Sequence, residues 1–188
     1  MVADMADPAD IQRLVGDIVR EGIVASVDLA AGTCRVQIAD DLVTGDIPWL
    51  AGRLGETRSW SPPSIGEQVV VLAPEADTDR AIVIGSLSSA ARSHPASDRS
   101  TLLDFADRAL IGYDPEKHAL TAYLPAGATV VLVANGGIHF TGDMTVDGGI
   151  RATGKIVADD DVIGGGKSLK SHKHTAVQTG GGISGPPQ

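Results

Sequence analysis

Aromatic side chains are scarce in this sequence, with two each of Trp, Tyr and Phe among 188 residues. Aromatics supply much of the apolar area of an ordinary core, so a lone chain of this length would build a thin one. Cysteine is nearly absent: Cys34 stands alone, which excludes an intrachain disulfide. Its place in the alternating run Thr33-Cys34-Arg35-Val36-Gln37-Ile38 reads as a small buried hydrophobe in a chain made in the cytosol. Basic residues are outnumbered, 15 Lys and Arg against 24 Asp and Glu, for a net charge of -9. That argues against binding nucleic acid, which needs a basic face, and against lying on an anionic membrane surface. No apolar run approaches the ~20 residues that span a bilayer. The acidic start MVADMADPAD has neither the basic nor the apolar region of a signal peptide, so anything that brings this chain to a membrane is expected to be another component.

What is plentiful is glycine, 23 residues concentrated in the second half. Scarce aromatics and abundant glycine together suggest a shape that buries surface between chains. The elements read as follows. Residues 8–20 have one helical stripe, Ile11, Leu14, Val15, Ile18 and Val19, with Asp7 as N-cap, Pro8 at the first helical position and Gly22 past the end. This makes 1–21 an N-terminal helical segment. Residues 22–87 alternate in five short strands separated by turns, which fits a small barrel of the OB type. A polar stretch over 88–100 reads as a linker. Residues 101–105, 109–113, 119–124 and 129–133 alternate again, opening a β-rich stretch over 101–166. Trp49 and Trp60 are expected to pack on the barrel or at a subunit contact, since no basic residues interleave with them as a nucleic-acid platform needs.

A repeat begins at Gly137: GIHFTG, DMTVDG, GIRATG, KIVADD, DVIGGG. Its second column is Ile138, Met144, Ile150, Ile156 and Val162, and its fourth is Phe140, Val146, Ala152, Ala158 and Gly164. Residues two apart in a strand share a face, so each hexad is expected to be a short strand with an apolar pair, closed by Gly or Asp. No hexad buries its face alone, but stacked hexads share one core. Five hexads are too few for a single-chain β-helix of the hexapeptide acyltransferase kind. Three chains winding about one axis could use them, and the fourth column shrinks from Phe to Gly, which predicts a taper toward the C-terminus. His172 and His174 then follow, one residue apart. On an extended segment they project from one face and are placed to bind one metal. Two such ligands become six on a three-fold axis.

Gly22-Ile23-Val24, Ile47-Pro48-Trp49, the run Trp60-Ser61-Pro62-Pro63-Ser64-Ile65-Gly66-Glu67-Gln68-Val69, the hexads, His172-x-His174 and the closing Ser184-Gly185-Pro186-Pro187 together resemble baseplate assembly protein V, the central spike of contractile-tailed phages, related to the tip proteins of type VI secretion. The resemblance covers nearly the whole chain. It implies an all-β homotrimer: an N-terminal helix, an OB-fold collar (22–87), a trimeric intertwined β-helix or β-prism shaft (101–166) and a tapering apex (167–188). It implies one iron ion per trimer, held octahedrally by His172 and His174 of three chains. Some relatives also hold calcium and chloride in the shaft, with no ligands assignable here. Where the family variant has Thr between the two His, this chain has Lys173, whose side chain should alternate away from the metal.

The implied place is the tip of the virion tail baseplate, with the chain made in the host cytoplasm. The implied partners are the baseplate hub, the tail tube and the host outer membrane, with no nucleic acid. No catalytic constellation is legible, so an enzyme is not expected. The alternatives are a hexapeptide-repeat acyltransferase, disfavoured by the short repeat, and an OB-fold binding module, disfavoured by the acidity.

Overall fold

A computed structural model describes residues 15–173 and Gly180. The chain divides into two compact units at Val130 and Val131. Among the described residues no helix is long and apolar enough to cross a membrane.

Most of the helix expected over 8–20 lies outside the described residues. Its end is corrected. Val15 and Gly16 are helical, the chain turns through Asp17 and Ile18, and strand β1 (Val19–Asp28) begins at once. Val19 and Arg20 are strand because they have ladder partners: Val19 faces Leu72 and Arg20 faces Val71. The apolar spacing at 18 and 19 suits either element, and tertiary pairing decides between them.

The first unit opens with a barrel. Strand β1 pairs with β2 (Thr33–Ala39) on one side and β5 (Gln68–Leu72) on the other. The short strands β3 (Leu42–Val43) and β4 (Ile47–Pro48) lie on β2, and β6 (Ile82–Leu87) lies on β5. The sheet would keep two open edges, but Trp49, directly after β4, bridges Val83 of β6. The Leu50 N–H donates to the Val83 carbonyl at 2.8 Å. That contact joins the β2 side to the β6 side, and closure removes the exposed edge backbone.

The alternation read from the sequence fills the interior with Val24, Cys34, Val36, Ile47, Val69, Val71, Ala73, Ala81 and Val83. These are aliphatic or small, and Trp49 packs at the margin. Burial holds the Cys34 thiol pKa above its ordinary value, with the charge of Glu67 adding to the effect, so it is an inert packing group. The buried Thr44 is satisfied: its Oγ1 accepts from Val36 N–H at 3.0 Å and donates to the Gly45 carbonyl at 2.8 Å.

Gly22 has no room for a side chain. A Cβ there would lie 2.5 Å from Val36 Cγ1 and 2.7 Å from the Gln37 carbonyl oxygen. The oxygen belongs to the β2 backbone and yields only if the β1–β2 ladder opens. Gly22→Ala is therefore expected to destabilise the barrel by about 1–3 kcal/mol. Thermal unfolding followed by tryptophan fluorescence checks this, and an unchanged midpoint would show that the strands separate freely.

After the barrel, β7 (Thr101–Asp104), β8 (Leu110–Asp114) and β9 (Ala119–Tyr123) form an antiparallel meander. Asp114 shapes the β8–β9 turn by accepting from the N–H groups of Glu116 and Lys117. Register sets Leu103 opposite Ile111, and Tyr113 opposite Leu120. Facing residues share a side of the sheet, so these four make one apolar face, and all four are exposed.

The expected strand over 129–133 and the strands expected from each hexad do not form within the single chain. Residues 138–160 make no backbone–backbone hydrogen bond with any described residue outside named strands and belong to no strand. The physical reason is that no strand runs beside them among the described residues. Gly142 and Gly148 close their hexads with positive φ, 113° and 149°, as the repeat predicts. In the second unit regular structure returns at β10 (Ile163–Gly164) and β11 (Lys167–Ser168), an antiparallel hairpin. Its two-residue loop, Gly165-Gly166, has positive φ at both positions, which a type I′ turn requires.

Candidate functional site

Two features of this chain bear on function: a turn that carries His172 and a ladder of exposed apolar side chains. The turn is organised by Asp161. Its Oδ1 accepts from the N–H of Val162 at 2.8 Å and of Lys170 at 3.1 Å. Leu169 N–H donates to the Val162 carbonyl at 3.0 Å. The Ser168 hydroxyl first, then the backbone N–H groups of Lys170, Val162 and Leu169, hold the Asp161 carboxyl below the ordinary aspartate range. Ser168 Oγ in turn accepts from Ser171 N–H at 2.8 Å and from Ser171 Oγ at 2.9 Å.

On this frame the Ser168 carbonyl receives His172 twice, from its backbone N–H at 3.2 Å and from its Nδ1 at 3.0 Å. A carbonyl oxygen only accepts, so this contact is a hydrogen bond in the tautomer protonated at Nδ1. In a neutral imidazole the lone pair then sits on Nε2, which is the form a metal ligand needs. His172 is the expected ligand whose place the structure describes. His174, the second expected ligand, lies outside the described residues. Among the described residues no three His, Cys, Asp or Glu side chains come together as a metal site, so a site built on His172 draws on His174, on other chains, or on both. The remaining histidines are exposed, and His139 Nε2 lies 3.2 Å from Thr141 Oγ1. Sequence reading missed Asp161 and Ser168. The available signal was an aspartate ahead of a Gly-Gly hairpin with a serine just past it, a pattern of side chains that bond nearby backbone.

The apolar ladder consists of the repeat's second column, which is 45–74% exposed in the single chain, together with Phe140 and Val146. Val130, Val131, Leu132 and Val133 precede it and are also exposed.

In the barrel, Trp49 and Trp60 meet edge to face, ring centres 5.5 Å apart at 61°, which is packing rather than an open stacking platform. The loop that brings Trp60 there is pinned by Glu67. Its carboxylate accepts from Ser64 N–H at 2.7 Å and from the Ser86 hydroxyl. Its own carbonyl accepts from Val24 N–H at 2.9 Å, while Gly66 N–H donates to the Val24 carbonyl at 2.8 Å.

Residues 20–87 match the type VI secretion system/phage-baseplate injector OB domain, and residues 168–188 match the GpV Apex motif. The Spike protein of Escherichia phage P2 is 35% identical over 138 residues, 73% of this chain and 64% of that relative. Over these spans the chain is similar to phage-baseplate spike proteins. The resemblance read from the motifs is borne out on this point. In family terms the barrel over 19–87 is the injector OB domain, and the Asp161–His172 turn runs into the apex motif. The chain spans somewhat less than two thirds of the length of the curated relative it matches.

Proposed function

We propose that this chain is one of three in a homotrimeric spike at the tip of a contractile phage tail baseplate, where it takes part in baseplate assembly and pierces the host envelope. The observation that carries this reading is the hexad segment, whose apolar columns are exposed and whose backbone over 138–160 finds no backbone partner among the described residues outside named strands. Backbone groups buried without partners cost free energy, and the apolar columns gain it only when covered. Two further copies wound about a shared axis satisfy both demands. The apolar face of the β7–β9 meander is covered in the same way. The hub and tail tube are its partners above, and the outer membrane is what it meets on contraction.

The work is mechanical, with no catalytic step. Sheath contraction drives the tube, and the spike leads it. Intertwined chains resist splaying because separating them breaks shared hydrogen bonds and contacts along the whole shaft. The shrinking fourth column narrows the tip, where too few side chains remain for an apolar core. There His172 and His174 of three chains supply six imidazoles to one iron ion, which would stabilise the assembled state by binding it alone.

Mass in solution, SDS resistance and metal content test the proposal together. Three chain masses and one iron per three chains are expected. His172→Ala with His174→Ala should abolish the iron and leave the trimer. A monomer, or a double variant that keeps stoichiometric iron, would overturn the respective half.

A further inference from the structure

We propose that residues 88–100 form a latched strap: the Arg92 guanidinium fastens them to the turn 64–67 of the barrel, which fixes the joint between the barrel and the β7–β9 meander. The strap stands on contacts within this chain, and its mechanical use rests on the spike reading.

The anchor is a turn held by both β1 and β6. Ser64 and Glu67 bind each other reciprocally: the Glu67 N–H donates to the Ser64 carbonyl at 3.0 Å, and the Ser64 N–H donates to the Glu67 carboxylate at 2.7 Å. The Ser86 hydroxyl of β6 donates to the same carboxylate, and the Gly66 N–H donates to the Val24 carbonyl of β1. The Ile65 carbonyl within this turn accepts from Arg92 Nη2 at 3.0 Å. Arg92 is itself placed by a closed turn. Its N–H donates to the Ser89 carbonyl at 3.1 Å, and the Ser89 N–H donates to the Arg92 carbonyl at 2.9 Å. Register explains why the two turns meet. Gln68 pairs with Leu87 at the end of the β5–β6 ladder, so the residues just before β5 and just after β6 emerge side by side. Asp104 of β7 lines one cleft of about 470 Å³ with Glu67, Ser86 and Arg92, so the strap turns back and keeps β7 beside the barrel. Freed, residues 88–100 would extend to at most about 45 Å. A spike driven point-first passes thrust through a fixed joint and loses it in a slack tether.

Trypsin is the probe, because the Arg99–Ser100 bond lies in the strap and its cleavage requires local opening. In the full chain this bond should be cut at least about tenfold more slowly than in a synthetic peptide of residues 88–104. Arg92→Ala should speed cleavage at Arg99 about 5–10-fold, the population change expected for one lost hydrogen bond, with tryptophan fluorescence unchanged. Arg92→Lys keeps a cationic donor and should recover part of the protection. Wild type cut as fast as the peptide would overturn the proposal, as would an Arg92→Ala protein cut at the wild-type rate. If Arg92→Ala also disturbs the barrel, Arg92→Lys decides: an intermediate rate supports the latch, and a rate equal to that of Arg92→Ala removes it. Solution mass keeps the strap and the spike apart. A monomer that shields Arg99 through Arg92 retains the strap and loses the spike, and a trimer whose cleavage ignores Arg92 does the reverse.

Discussion

Replacing Ile150 and Ile156 together with aspartate is expected to leave a chain that no longer trimerises, while its barrel stays folded. Both side chains are more than two-thirds exposed in one chain, at 70% and 74%. In the proposed shaft they face the shared interior. Burying an isoleucine contributes about 1.5–3 kcal/mol, so the six copies in a trimer account for roughly 10 kcal/mol or more. The aspartates would set six carboxylates in that interior, where an unpaired buried charge costs several kcal/mol each. Solution mass should fall from three chains to one and SDS resistance should vanish. Tryptophan fluorescence should hold its folded value, because Trp49 packs against a core that one chain makes alone and Trp60 meets Trp49 edge to face. A double variant that remains an SDS-resistant trimer would remove the hexads from the interior.

The second large effect is expected inside the barrel. Val71 is fully buried beside Val69 and Val83, whereas its neighbour Val70 is half-buried. Val71→Asp places a carboxylate among aliphatic side chains with no partner. The cost is comparable with the whole stability of a small domain, about 5–15 kcal/mol, and the barrel should unfold at room temperature. Val70→Thr, on the other side of the same strand, should shift stability by only about 1 kcal/mol or less. Near-ultraviolet circular dichroism separates the two outcomes. A folded Val71→Asp protein would mean that the core relaxes far more than close packing allows.

Much of the barrel was legible because period-two alternation is local. Val69 and Val71 declare a buried face within five residues, and β7, β8 and β9 were read in nearly their observed positions for the same reason. The hexads were read as short strands, but 138–160 belongs to no strand, because a strand needs a neighbour and none runs beside it among the described residues. At Val19 and Arg20 the sequence suited the end of a helix, and pairing with Leu72 and Val71 overrode it. His172 was legible as a candidate ligand from His-x-His spacing. The grip of Asp161 on Lys170 N–H was not, since nothing local links residues nine apart across a hairpin.

By itself the sequence determined which residues are apolar, at what period they recur and where glycine permits a turn. That suffices for an all-β chain with a repeat too short to close on itself. Only the tertiary structure decided that Trp49 reaches Val83 to seal the barrel, that 138–160 meets no partner strand among the described residues of its own chain, and that His172 Nδ1 meets the Ser168 carbonyl. Periodicity lies in covalent order, whereas closure, pairing and the His172–Ser168 contact each depend on atoms that only the folded path brings within hydrogen-bond distance.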